Sequence, residues 1–379
     1  MDKKKLKILI LSCNTGEGHN MAARAICEQC KAEGHEAEVV DYLAIHSRFT
    51  SWFISGFYIG LAKYFPHVFG FFYNGMGFLS RKVHVGRSSV YWLNALAAPR
   101  LRKFLEKGNY DAVVCSHMFA AECLTRLKRR GKQVPPSIMV STDYTCYPHL
   151  EEVESDLFVL AHEDLLPDFE KRGFDPAVLR PCGIPIGMRF QGLPSRAEAR
   201  EQLGLSNDAH VYLVMGGSMG AGHIRSFTKR LSSELQNGKI FVICGKNKRL
   251  KKSLERHVGR THHNVVILGF TKEIPTYMAA CDVLYTKPGG LTSTEAIVCH
   301  TPMISTKPIP GCETDNRDFF LSHGVADYAK TVEQKVESGR RLAENAQEQA
   351  RMKEAQEAFA KPDAALNIVR LIEEELCKE

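Results

Sequence analysis

Short apolar runs recur along this chain, separated by mixed stretches long enough to form a helix. The first run is Lys7-Ile8-Leu9-Ile10-Leu11-Ser12. It is apolar at successive rather than alternate positions, which predicts a strand covered on both faces. It leads through Asn14-Thr15-Gly16-Glu17-Gly18-His19-Asn20 into a predicted helix from about Met21 to Glu33, stopped by Gly34. A second strand, Glu36–Asp41, completes a β-α-β unit with a glycine-rich first turn. The turn lacks GxGxxG, which argues against a nicotinamide or flavin cofactor. The alternation resumes with strand Tyr110–Ser116, helix Phe119–Arg130 and strand Ser137–Ser141, which ends in Thr142-Asp143-Tyr144. Strand Leu157–Leu160 and a helix near Asp164–Arg172 follow. A proline- and glycine-marked stretch, Pro181 to Gly187, then leads to a polar connector around Gly192-Leu193-Pro194-Ser195.

The second half starts the same way. Strand His210–Met215 runs into the glycine-rich turn Gly216-Gly217-Ser218-Met219-Gly220-Ala221-Gly222-His223. Strands Ile240–Cys244 and Val265–Leu268 flank a basic helix near Lys248–Val258. The apolar run Cys281–Tyr285 precedes Lys287-Pro288-Gly289-Gly290-Leu291-Thr292-Ser293-Thr294-Glu295, with a helix expected from Thr292 to about His300 and a strand at Pro302–Ser305. Leu366, Val369, Ile372 and Leu376 recur at helical spacing near the end, predicting an amphipathic terminal helix that packs on the body. The pattern implies an α/β protein of two Rossmann-like, doubly wound domains facing each other across a cleft, with ligands at the carboxyl ends of the strands. The expected divisions are 1–190, 191–355 and a terminal helix over 356–379.

Composition adds one thing to this picture. The chain has 379 residues and a net charge of +7, ordinary for two globular domains. Tyr42 to Leu105, however, carries eight Lys or Arg and no Asp or Glu, where the chain-wide acidic frequency of 43 in 379 predicts about seven. The same stretch holds 16 of the 34 aromatic residues, including both tryptophans. Such a composition suits an anionic membrane surface. Its uncharged runs are too broken to form a spanning helix, and the apolar run behind the basic start is too short for a signal peptide. A cytoplasmic protein, peripheral to the inner face of the membrane, is expected. The twelve cysteines lack a metal-ligand spacing, and Cys27-Glu28-Gln29-Cys30 falls inside a predicted helix, so buried reduced thiols are expected.

The candidate chemistry lies at the strand ends. In the second domain Gly217, Ser218, Gly245, Lys246, Gly269, Phe270, Thr271, Lys287, Gly289, Gly290, Leu291, Thr292 and Glu295 are placed to hold a nucleotide. Backbone would flank a base, helix N–H groups would meet a diphosphate, and Glu295 would accept from a ribose diol. Thr292-x-x-Glu295 is equally a capping box, in which the glutamate serves only its own helix. The lysine-serine signature of ATP-hydrolysing loops is missing, and no paired carboxylates stand at a metal spacing. In the first domain His19 is a candidate general base, Gly18 beside it is a candidate donor-binding residue on the glycine-rich turn, and Asp143 could orient the histidine or a hydroxyl. Both are also ordinary loop or capping residues by type.

Taken in order, Thr15-Gly16-Glu17-Gly18-His19-Asn20-Met21-Ala22-Ala23, Thr142-Asp143-Tyr144, Gly183-Ile184-Pro185, Cys244-Gly245-Lys246-Asn247, Gly269-Phe270, Thr286-Lys287-Pro288-Gly289-Gly290 with Glu295, and Pro310-Gly311-x-Glu313-x-x-Asn316 resemble one family. It is that of the monogalactosyldiacylglycerol synthases and processive diacylglycerol glucosyltransferases, and the resemblance runs from about residue 7 to 330. It implies a GT-B fold and inverting transfer of a hexose from UDP-glucose or UDP-galactose to diacylglycerol, with no metal and no nucleic-acid partner. His19 would be the base, Glu295 would hold the ribose, Gly289 and Gly290 would face the diphosphate, and Phe270 would flank the uracil. Residues 42–105 would dock on the anionic membrane and admit the lipid. Plant members carry glycine where Glu17 stands. The alternatives are an N-acetylglucosaminyltransferase acting on a polyprenyl-linked acceptor, a UDP-N-acetylglucosamine 2-epimerase, and a non-enzymatic UDP-sugar sensor.

Overall fold

A computed structural model describes residues 4–14, 16–46, 56, 60, 91–92, 96–216, 224–235 and 238–377. Most of the basic aromatic stretch, and Gly217 and Ser218 of the glycine-rich turn, lie outside the described residues. The chain forms two compact units: 1–188 with 310–312 and 361–379, and 189–309 with 313–360. The helix Ala346–Phe359 closes the second unit, and the tail that rejoins the first begins at Lys361.

The first unit holds a parallel six-stranded sheet of β1 (Lys7–Ser12), β2 (Glu36–Asp41), β3 (Ala112–Cys115), β4 (Ser137–Val140), β5 (Leu157–Val159) and β6 (Leu179–Arg180), in the order β2-β1-β3-β4-β5-β6. The continuous apolar runs are explained by helices on both faces. Ile8, Ile10, Val114, Ile138 and Val140 pack with Ile26 of helix Glu17–Ala32 and with Ile368, Val369 and Ile372 of the tail. The tail is anchored further by His35 Nε2 with Glu373 at 2.5 Å and by Arg180 with Glu375. β6, two residues long, leaves no readable periodicity in the sequence.

The second unit repeats the plan with β7 (His210–Met215), β8 (Gly238–Ile243), β9 (Val265–Leu268), β10 (Val283–Thr286), β11 (Met303–Ser305) and β12 (Asp327–Tyr328), in the order β12-β11-β10-β7-β8-β9. Here too every pairing is parallel. Tyr212, Tyr285, Ile240 and Ile304 form one core with Phe227, Leu231, Val336 and Leu342.

A buried ion cluster sits at the amino ends of β7 and β10. Asp282 accepts from Arg196 at 2.7 Å, from Arg200 at 2.9 Å and from the Val211 N–H at 2.8 Å. Arg200, fully buried, also donates to the carbonyls of Ala280, Ser206, Asn207 and Ala209. All twelve cysteines are free thiols, eight of them buried.

Candidate functional site

In each sheet the strand order reverses beside the first strand. β1 lies between β2 and β3, and β7 lies between β8 and β10. At such a reversal the loops leaving neighbouring strands diverge to opposite faces, and the crevice between them receives a ligand. The described candidate residues of both units lie at or near the carboxyl ends of these parallel strands.

In the first unit the register pairs Leu11 with Cys115 and Cys115 with Met139, so the segments after β1, β3 and β4 leave the sheet side by side. His19 comes from the first of these, Ser116 and His117 from the second, and Thr142 and Asp143 from the third. His19 was expected on a turn before a helix starting near Met21. The helix in fact begins at Glu17, with extended Gly16 as its cap, so Gly18 and His19 lie in its first turn. The preceding loop is tied down by a hydrogen-bonded chain. Ser12 Oγ donates to Asn20 at 2.6 Å, Asn20 to Asn14 at 2.8 Å, and Asn14 to Asp41 at 2.8 Å.

His19 Nδ1 lies 2.9 Å from the Ser116 carbonyl oxygen and 2.8 Å from Thr142 Oγ1. A carbonyl only accepts, so Nδ1 carries the proton and Nε2 keeps its lone pair in the neutral ring. The ring meets His117 edge-on at 4.6 Å. Burial pushes the His19 pKa down to about 4, against an opposing effect of the Ser116 hydrogen bond. His117 is pushed down as well, chiefly by burial and then by His19. His19 is therefore neutral across the physiological range, with a proton-accepting nitrogen ready. Asp143, half-buried, follows Thr142 at the same strand end. The hydroxyl of Thr142 and the carbonyl of Ser116 are the orienting partners that sequence reasoning missed. Their position one or two residues past predicted strands was the available signal.

In the second unit Met215 pairs with Ile243 and Thr286, and Ile243 pairs with Leu268. Gly216, Gly245, Gly269 and Lys287 thus emerge along one edge of the sheet. Gly245 has a φ of +54°, the left-handed region that favours glycine. Lys246 is exposed beside it, and Asn247 caps the next helix by accepting from Leu250 N–H at 3.0 Å. Phe270, 61% exposed, presents a bare aromatic face at the end of β9. Thr271 Oγ1 accepts from Glu273 N–H at 3.1 Å, closing the turn.

The helix after β10 runs Gly290–Val298, two residues earlier at its start than expected. Gly289 is its cap, with no side-chain hydrogen bond. The Thr292-to-Glu295 capping box therefore does not form, because both residues already lie inside the helix. The first-turn N–H groups consequently have no side-chain cap. Gly289 has an ordinary φ of −82°, and a Cβ there would meet only Glu313 Oε1 at 3.8 Å and Lys287 Nζ at 3.9 Å. No steric need inside the unit demands glycine at this position. Lys287 is ion-paired with Glu313, whose other oxygen accepts from Ile309 N–H at 2.8 Å. Buried Asn316 donates to the Pro288 carbonyl at 3.1 Å. Glu313 and Asn316, three apart on helix Cys312–Ser322, together clamp the loop.

Glu295 is buried in helix Gly290–Val298, with Oε1 3.3 Å from Arg189 Nη2. Burial raises its pKa to about 7, opposed by the charge and hydrogen bond of Arg189. Leu291 and Thr292 are half-buried at the helix start.

Residues 19–186 match the family model of monogalactosyldiacylglycerol (MGDG) synthase, and residues 221–359 match that of glycosyl transferases group 1. Among solved structures, MurG of Acinetobacter baumannii is 16% identical with a TM-score of 0.63, covering 97% of this chain and 99% of its own. The glycotransferase of kitacinnamycin is 14% identical with a TM-score of 0.67, covering 98% and 100%. The fold is GT-B, and both of its halves match glycosyltransferase families. The two matches fall on successive halves of the chain, and the first carries a family name that the motifs indicated. The processive diacylglycerol beta-glucosyltransferase of Bacillus pumilus (strain SAFR-032) is 29% identical over 358 residues, 92% of this chain and 89% of that protein.

Proposed function

We propose that this protein transfers a hexose from a UDP-sugar to the free hydroxyl of diacylglycerol, with inversion, to make a membrane glycolipid. The observation that carries the reading is the pairing of two sites in one GT-B chain. The first unit holds an oriented neutral histidine, and the second holds an uncapped helix end followed by a buried carboxylate. The similarity to a diacylglycerol glucosyltransferase over nearly the full length supports the acceptor class and favours glucose.

In the proposed reaction His19 Nε2 takes the acceptor hydroxyl proton as that oxygen bonds to the anomeric carbon. The bond from that carbon to the diphosphate oxygen breaks, and UDP leaves with the bonding pair. Partial positive charge at the Gly290 helix end, and Lys287, balance the charge that develops on the leaving group. Imidazolium then returns its proton to water. Glu295 accepts from the ribose hydroxyls, and Phe270 stacks on the uracil. Asp143 supports the acceptor side. No metal enters this scheme. No helix among the described residues is long and apolar enough to cross a membrane, and docking through residues 42–105 is part of the proposal.

The test is product analysis. Purified protein with diacylglycerol in anionic vesicles is given UDP-glucose or UDP-galactose, and the lipids are separated by thin-layer chromatography. A hexosyl-diacylglycerol from one donor is expected, with yield unchanged by EDTA. Absence of any glycolipid with either donor would refute the acceptor assignment.

A further inference from the structure

The Arg189–Glu295 pair of the second unit is loosely held. Its single hydrogen bond is long, at 3.3 Å, and one-pronged, where arginine and carboxylate can make two parallel bonds. Arg189 Nε is buried with no hydrogen-bond partner. Its guanidinium lies 5.1 Å from the Phe190 ring and is about a third exposed. Only Oε1 of Glu295 is engaged by a described residue, which leaves Oε2 as the acceptor for a ligand hydroxyl.

A carboxyl buried on a mostly apolar helix favours its neutral form, and a neutral carboxyl is a poor acceptor for a diol. The charges around Glu295 are few. The cap of its own helix contributes Cys299, whose thiol is itself pushed up by burial and then by Glu295. Helix Ala346–Phe359 packs on this helix and carries Lys353, but the charged groups acting on Lys353 are Arg196, Asp282 and Arg200. On β10, Tyr285 spends its hydroxyl on the Lys335 carbonyl. Arg189 is the one cation acting on Glu295 among the described residues.

We infer that Arg189 is a positioning residue for donor binding. It favours the ionised form of Glu295 and pins the carboxylate through Oε1, so that Oε2 is presented to the ribose diol of the UDP-sugar. The inference rests on the ribose role proposed for Glu295. It makes donor affinity depend on pH near neutrality through a residue that need not touch the donor. With Glu295 titrating at about 7, affinity falls as pH drops through that value, because the protonated form cannot accept from both hydroxyls.

The experiment is titration calorimetry of UDP-glucose between pH 5.5 and 8.5, with steady-state kinetics on the same proteins. UDP-glucose lacks the terminal phosphate whose titration near pH 6 would confuse the reading. Arg189→Met is expected to move the affinity midpoint up by about one pH unit and weaken binding at pH 7 about fivefold. The loss should appear in KM for donor rather than in kcat, and Arg189→Lys should recover most of it. Glu295→Gln should abolish the pH dependence, and adding Arg189→Met to it should cost nothing further. An unmoved midpoint in Arg189→Met, or an equal loss at every pH, overturns the positioning role. If Glu295→Gln instead leaves affinity and its pH profile intact, the ribose assignment itself falls. Thermal unfolding of each variant separates these outcomes from misfolding, and Arg189→Gln serves if the methionine variant unfolds.

Discussion

Replacing His19 by alanine is expected to lower the rate of sugar transfer by about 10²- to 10⁴-fold, the range a positioned general base supplies. Affinity for UDP-glucose should stay within about twofold, because His19 and the donor groups belong to different units of the chain. The expectation comes from the tautomer. Ser116 holds the proton on Nδ1, leaving Nε2 free to accept one. A pKa pushed down to about 4 adds a pH signature. The group is neutral and competent above that value and is lost as a base only as pH falls through it. At saturating donor, kcat should therefore hold well below pH 6.5, the ordinary histidine value, while KM for donor already worsens near 7 through Glu295. Single-turnover rates with tight-binding controls check this. Full activity in His19→Ala would remove the residue from the chemistry, and a kcat falling with a midpoint at 6.5 would contradict the enclosed, neutral ring.

The largest expected effect on stability lies at the other end of the second sheet. Asp282→Ala should destabilise the protein by about 3–5 kcal/mol, since it strands the buried charge of Arg200. It also removes the acceptor for the Val211 N–H at the start of β7. Asp282→Asn keeps an acceptor for one donor and should cost less. Arg200 retains its four carbonyl partners in either variant, so the loss reports the charge pairing more than the arginine's hydrogen bonds. Chemical denaturation followed by the shift in midpoint tests the ranking. An unchanged midpoint in the alanine variant would mean that water reaches the guanidinium and solvates it. The same cluster orders the amino ends of β7 and β10, whose carboxyl ends carry the loops proposed to hold the donor, so lost stability here should be felt there.

Much of the architecture was legible because covered parallel strands write themselves locally. Lys7–Ser12, His210–Met215 and Val265–Leu268 are strands with the limits read from the apolar runs, and the half-exposed edge strand Glu36–Asp41 also keeps its expected limits. The short edge strands Leu179–Arg180 and Asp327–Tyr328 were not legible, since two residues have no periodicity and each strand is paired along one edge alone. Helix starts were read late at both glycine-rich turns. Glycine by type predicts a turn, whereas Gly18 and Gly290 lie in first turns whose N–H groups need no intrahelical partner, and the second helix starts two residues before the expected Thr292. That two-residue difference removes the capping box and frees Glu295 from its own helix end.

The amino-acid sequence alone determined the succession of elements, the doubling of the plan and the type of residue at each strand end, because a residue's apolar pattern reflects only its near neighbours along the chain. Tertiary structure decided everything that depends on which strand lies beside which. His19 meets Ser116 across 97 positions and Thr142 across 123, and Glu295 meets Arg189 across 106. Strand order is set by packing between distant segments, and the same apolar runs are compatible with many orders. The tautomer of His19 and the ionisation of Glu295 follow from those long-range contacts and from burial, neither of which a local pattern contains.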